Sequence, residues 1–197
     1  MPVTSCLDSQ VNRQHYLYVF ITLNYRFAAM KNILLMRHAK SSWEESSLRD
    51  MDRPLNKRGR NDAPLMAEYL KRMGYLPNFI VASPAKRVEQ TLEPLTGLIE
   101  NAIAPITDEQ LYFGWAEDYL DVIRNTPNEV DRIMLVGHNP MTEELVGKLS
   151  GENKRPAKMP TAAIACFEFN SDNWASLESN DVSLKWLMTP KKLKKLS

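Results

Sequence analysis

The sequence predicts an α/β fold, three layers deep, with helices on both faces of a mostly parallel central sheet. Three observations carry this. Short continuous apolar runs stand at 33–36 (ILLM), 79–82 (FIVA) and 133–136 (IMLV), as strands buried on both faces require. Amphipathic helical patterns lie between those runs. Strands alternating with helices are the arrangement from which parallel sheets are built.

The elements follow in chain order. Residues 1–29 (MPVTSCLDSQVNRQHYLYVFITLNYRFAA) are polar, then aromatic, without a clear period. They are expected to be an N-terminal extension outside the domain, which spans 30–197 and begins afresh at Met30. A secretory leader is the rival reading, with YLYVFITL as its apolar stretch. The long preceding segment carrying Asp8 argues against it. The first strand then runs straight into Arg37-His38.

The next helix covers 56–74, with Asn56 as N-cap and Gly74 as stop. Its apolar face is Leu65, Met66, Tyr69, Leu70 and Met73, and Pro64 is expected to kink or restart it. A second helix, 84–100, follows FIVA, with Ser83 as its cap and Pro84 in its first turn. Two more are expected at 115–126 and 141–151. Beyond Pro160 the pattern changes to strands at 161–169 and 182–189, joined by NSDNWASLESND.

At 197 residues the chain suits one domain with a substantial core. A net charge of +1 gives no global basic field, so nucleic acid is not an expected partner. The C-terminal KKLKKLS reads as a solvated end. No apolar stretch reaches the roughly 20 residues of a membrane span, and no membrane partner is expected. Cys6 and Cys166 lie too far apart in sequence to suggest a disulfide framework or a metal-ligand pair, which fits a reducing, cytoplasmic setting.

Three segments place reactive residues at strand ends, the edge where ligands bind in such sheets. Arg37-His38 follows the first run, Ser83 and Arg87 follow the second, and Gly137-His138-Asn139-Pro140 follow the third. Taken singly, each has a bland explanation as a satisfied core histidine or a solvated arginine. Together they point two imidazoles and two guanidiniums at one spot. Arginine forks match phosphate oxygens in bidentate fashion, and helix N-termini near Pro84 and Pro140 add positive ends. The expected inner ring holds no carboxylate, so neither a metal nor another cofactor is expected. A neutral imidazole is also a competent nucleophile near neutral pH and can carry a phosphoryl group to water. Spacing alone leaves open which histidine attacks.

The segments LLMRHAKS, SPAKRVEQT and VGHNP resemble the three motifs of the histidine phosphatase superfamily, with Ala39 where glycine is usual. DRPLNKRG (52–59) resembles that family's segment before the first helix, and the likeness runs from Ile33 to Pro190. Within the superfamily the chain looks most like the SixA-type phosphohistidine phosphatases, to which the Arg-His-Ala-Lys-Ser form, LY at 111–112 and the ending KWLMTPKKL are similar. The resemblance implies a phosphoglycerate mutase-like fold and a metal-independent phosphatase with a phosphohistidine intermediate. It implies His38 as nucleophile, Arg37 and Arg87 as holders of the phosphoryl oxygens, and His138 as a donor to the same group.

It also implies a substrate class: phosphohistidine in a protein of the histidine phosphotransfer type. Relatives acting on alcohol phosphates use an added carboxylate as general acid, because an alkoxide needs a proton to leave. Imidazole leaves more easily. The candidates for such an acid here are Asp108 and Glu109 in TDEQLYFGW. Arg53 has two readings, rimming the site or pairing with Asp50 or Asp52. The rival functions are a phosphatase of a small phosphate ester and a non-catalytic phosphate-binding module on the same fold.

Overall fold

The computed structural model describes residues 30–100, 104–151, 158–178 and 181–196. The expected extension, 1–29, lies outside them, as does Cys6. Among the described residues six strands form one sheet: β1 (Met30–Arg37), β2 (Phe79–Ala82), β3 (Ile106–Thr107), β4 (Arg132–Gly137), β5 (Ile164–Asn170) and β6 (Val182–Met188). Their spatial order is β3-β2-β4-β1-β5-β6. The pairs β3–β2, β2–β4 and β4–β1 are parallel, while β5 runs antiparallel to both β1 and β6. The sheet is therefore mostly parallel.

Both faces are covered, and the period of two along a strand explains how. Ile33, Leu35, Ile133 and Leu135 face one way, onto α3 (Gln110–Phe113), α4 (Ala116–Arg124) and α5 (Met141–Leu149). Leu34, Met36, Met134 and Val136 face the other, onto α1 (Lys57–Arg72), α2 (Lys86–Thr96) and α6 (Pro190–Leu193). Continuous apolar runs are needed because both sets of side chains are buried.

Several local expectations are modified. Helix α1 runs unbroken through Pro64, which lies on its exposed face, so the carbonyl of Arg60 that loses its donor can face solvent. Asn56 caps the helix, its Oδ1 accepting from Gly59 N at 2.9 Å. Gly74 follows the end of the helix at φ +71°, the left-handed conformation that glycine takes at little cost. The buried face includes Asp62, Ala63 and Ala67, whereas Met73 is exposed. Asp62 is held by Arg58 and by Lys194, which ties the C-terminal segment to α1. Helix α2 begins at Lys86, and Ser83 is not its N-cap. Strand β3 and helices α3 and α6 are too short to leave a periodic trace in the sequence.

Candidate active site

The strand register levels the three motifs. Arg37 lies opposite Gly137, and Ala82 opposite Val136, so the C-terminal ends of β2, β4 and β1 stand side by side. Backbone bonds lock the junctions: His38 N donates to Gly137 O at 3.1 Å, and Ser83 N to Val136 O at 3.0 Å. Asn56 N donates to Lys40 O at 2.9 Å, bringing the start of α1 against the loop after β1. The contact is so close that a Cβ at Gly59 would lie 2.2 Å from that oxygen.

A cavity of about 200 Å³ opens at this edge, lined by Arg37, His38, Lys40, Ser41, Trp43, Arg53, Arg87, His138, Asn139 and Thr161. All four residues expected at the site, Arg37, His38, Arg87 and His138, meet here. The two imidazole rings are 4.9 Å apart between centroids.

The hydrogen bonds fix both tautomers. His38 Nδ1 lies 2.7 Å from Ala39 O, so the nitrogen donates its proton to that carbonyl and Nε2 keeps its lone pair. His138 Nδ1 lies 3.3 Å from Arg87 Nη2, which can only donate. The neutral His138 ring therefore carries its proton on Nε2 and donates to Ser83 Oγ at 2.8 Å. Ser83, which the sequence set at the strand end and also offered as a helix cap, is thus a site residue. Beneath His138 lies Tyr119, whose hydroxyl accepts from His138 N at 3.4 Å and donates to Leu111 O at 2.8 Å. That approach needs glycine at 137, since a Cβ there would fall 2.0 Å from the hydroxyl.

Both histidines are held neutral. Burial pushes His38 down to about 4, and Arg87 and Arg37 push the same way against the bond to Ala39. Burial pushes His138 down to about 3, with His38 and Arg87 adding to it. Arg37 donates from Nη1 to Met159 O at 2.8 Å, and its Nε is buried without a partner.

Two of the arginines that line the cavity are bonded to one carboxylate: Asp50, from the 3-10 turn Asp50–Asp52. Its Oδ2 accepts from Arg87 Nη2 at 2.8 Å and from the Tyr112 hydroxyl at 2.8 Å. Its Oδ1 accepts from Arg53 Nη1 at 2.6 Å, and its backbone oxygen from Arg87 Nη1 at 2.6 Å. Burial acts to raise the Asp50 carboxyl, but Tyr112, Arg87 and Arg53 overcome it and hold the group at about 2. A single carboxylate held ionised among arginines is no metal site. Among the described residues, no three His, Cys, Asp or Glu side chains converge to hold an ion.

Arg53 fulfils both of its readings: it pairs with Asp50 and lines the cavity, while Asp52 pairs with Arg49. Its guanidinium also stacks on Trp43, 3.2 Å from the ring centroid. Asp108 and Glu109 sit near the edge but are otherwise engaged or exposed. Asp108 Oδ1 accepts from Gln110 N at 2.8 Å, and Glu109 faces solvent. The residue of this segment that reaches the site is Tyr112, whose ring meets His138 edge-on at 5.3 Å. The sequence offered the Asp50–Arg53 ion pair, but not the tie to Arg87, which is 37 residues away.

Comparisons with known proteins bear on the family and the fold. The pattern of the histidine phosphatase superfamily (branch 1) matches residues 33–112. An uncharacterized chloroplastic protein of Arabidopsis thaliana is 32% identical over 158 residues, covering 73% of this chain and 69% of that one. Phosphohistidine phosphatase SixA of Escherichia coli is 28% identical over 170 residues, covering 82% of this chain and 96% of its own. A solved structure of the protein histidine phosphatase SixA complexed with tungstate superposes with a TM-score of 0.70 at 26% identity, covering 82% of this chain and 99% of the other. With its motifs gathered at one sheet edge and the fold shared along nearly the whole domain, the chain belongs to the histidine phosphatase superfamily, branch 1.

Proposed function

We propose that this chain hydrolyses phosphohistidine in a protein, through a covalent phosphoryl intermediate on His38. The observation that carries the reading is the His38 tautomer: Nδ1–H is spent on Ala39 O, so the neutral ring's lone pair is on Nε2, in a cavity lined by guanidiniums. In the first step the Nε2 lone pair attacks phosphorus, and the bond from phosphorus to the substrate imidazole nitrogen breaks. The departing ring leaves neutral if its other nitrogen is already protonated. In the second step a water oxygen attacks phosphorus and His38 departs, giving inorganic phosphate. Arg37 and Arg87 hold the phosphoryl oxygens throughout. His138 Nδ1, which faces Arg87, becomes a donor to the phosphoryl group once a bound anion makes its protonation favourable.

The substrate class follows from leaving-group chemistry and surface shape. Among the described residues no carboxylic acid lines the cavity to protonate an alkoxide: Asp50 is held ionised at about 2, Asp108 is bound to the Gln110 amide and Glu109 faces solvent. That disfavours a small alkyl phosphate. The cavity is flanked by Trp43 at 73% exposure, and Phe113 at 69% and Trp115 at 72% line the adjoining depression next to His138. An open mouth with exposed aromatic side chains suits a macromolecular partner. The name of the Escherichia coli relative supports the same class. A purely phosphate-binding role would need the arginines but not a histidine with its attacking nitrogen free.

A reducing, cytoplasmic compartment belongs to this reading. Cys166 is buried and free, its thiol pushed up by burial to about 12. No helix of the described residues is long and apolar enough to cross a membrane.

The deciding experiment offers a phosphorylated histidine phosphotransfer protein alongside a panel of sugar, nucleotide and aryl phosphates. Faster turnover of the phosphoprotein, with acid-labile label trapped on the wild type and absent from His38→Ala, is the expected result. A preference for a sugar phosphate, or label on His138, would replace this reading.

A further inference from the structure

We propose that Asp50 is a positioning residue for phosphoryl transfer: its carboxylate and backbone carbonyl hold the Arg87 fork in the orientation that the transferring group requires. The proposal rests on the phosphatase reading of the site and adds a residue that lies outside the three motifs. Asp50 has bonds to three side chains drawn from three parts of the chain. It receives Arg53 on Oδ1, Arg87 and Tyr112 on Oδ2, and Arg87 again on its backbone oxygen.

The need for such a brace follows from the surroundings. Arg87 and Arg53 have side chains only 8% exposed, and both line the cavity with Arg37. Three guanidiniums around one small cavity repel one another, and an arginine left to itself keeps much of its rotamer freedom. Asp50 offsets one positive charge and fixes two of the forks, while the ring stays net cationic for a phosphoryl group. It also sits between the two sides of the site. Its own turn lies beyond the β1 loop, whereas Tyr112 belongs to α3 and packs against His138.

Its bonds also set the direction of the fork. Arg87 Nη1 is held by the Asp50 carbonyl and Nη2 by the carboxylate, so the second Nη2 proton points to His138 Nδ1 at 3.3 Å. An incoming phosphoryl oxygen takes that proton by a small displacement, without reorienting the guanidinium. Donors fixed in place before reaction favour the transition state over the ground state. Losing the brace therefore affects turnover more than ground-state binding of phosphate, which gains from the removal of a neighbouring anion.

The test compares Asp50→Asn and Asp50→Glu with the wild type for turnover of an aryl phosphate, and for inhibition by inorganic phosphate and orthovanadate. Asp50→Asn should lower kcat at least tenfold and weaken orthovanadate by a similar factor. Inhibition by inorganic phosphate should stay within threefold or tighten, and Asp50→Glu should recover part of kcat. Wild-type kcat and orthovanadate inhibition in Asp50→Asn would overturn the proposal, as would equal weakening of both anions. If Asp50→Asn does not fold, Tyr112→Phe removes one bond to Oδ2 and should give the same split between the anions, two- to fivefold in size. No split there overturns the proposal as well. A wild type that turns over no phosphate compound sinks the phosphatase reading and this proposal with it. An active wild type matched by its Asp50 variants sinks this proposal alone.

Discussion

Replacing Arg87 by alanine tests the electrostatics of the site most directly, because the structure gives two separable contributions. The first is the lost donor. Removing one preorganised donor from a transition state costs roughly 3 to 4 kcal/mol, which is about a hundredfold to a thousandfold in kcat/KM. The second is the anion left behind. Arg87 is bonded to Asp50 Oδ2 at 2.8 Å and to the Asp50 carbonyl at 2.6 Å. Without Arg87, an ionised Asp50 faces the phosphoryl group across roughly 5 to 6 Å, with Arg53 as its remaining charged partner. The Asp50 side chain is 50% exposed, so the effective dielectric lies between about 20 and 80, and the repulsion is about 1 to 3 kcal/mol. Arg87→Ala should thus lose roughly three to five orders of magnitude in kcat/KM. Adding Asp50→Asn in that background should restore about five- to a hundredfold, although the same change alone is expected to be harmful. The assay is kcat/KM for an aryl phosphate across the four proteins of the cycle, at two salt concentrations. A loss below tenfold for Arg87→Ala would refute the phosphate-holding role. A double variant no better than Arg87→Ala would refute the charge argument.

Acid should destabilise the empty protein in a window set by the histidines. His38 and His138 are depressed in the folded state to about 4 and about 3, below the ordinary 6.5. Their contribution is intact above pH 6.5 and is lost as pH falls toward 4, by about 3 kcal/mol for His38 alone. Urea titrations of the wild type and His38→Gln should diverge in that range, and parallel pH dependence would contradict the depressed value. Chelators should leave turnover unchanged, since the nearby Asp50 carboxylate is taken up by Arg53, Arg87 and Tyr112 and the cavity is lined chiefly by arginines and imidazoles; loss of activity with rescue by one divalent metal would contradict it. Replacing Asp108 and Glu109 together should leave phosphohistidine hydrolysis within about threefold, the size of change expected of solvated carboxylates. Arrest of turnover would identify one of them as the general acid. A chain beginning at Met30, the first residue of β1, should fold and keep full activity, and loss of either would assign 1–29 a role in the domain.

The sequence by itself determined the fold class, because a strand covered on both faces must be apolar at every position and a helix covered on one face must repeat near 3.6. ILLM, FIVA and IMLV obey the first rule, and the segments between them obey the second. It also brought Arg37, His38, Arg87 and His138 to one sheet edge, since each follows a strand closely and parallel strands end there together. Tertiary structure alone decided what those residues touch. Ser83 reads in sequence both as a strand-end residue and as a helix cap, and only the fold gives its hydroxyl to His138, across the β2–β4 pairing. Asp50 looks like one of many loop carboxylates. Its ties to Arg87 and Tyr112 cross 37 and 62 residues of chain and obey no local period. Periodicity encodes which face is buried, whereas hydrogen-bond partners across the sheet edge depend on register and loop path, which no short stretch of sequence contains.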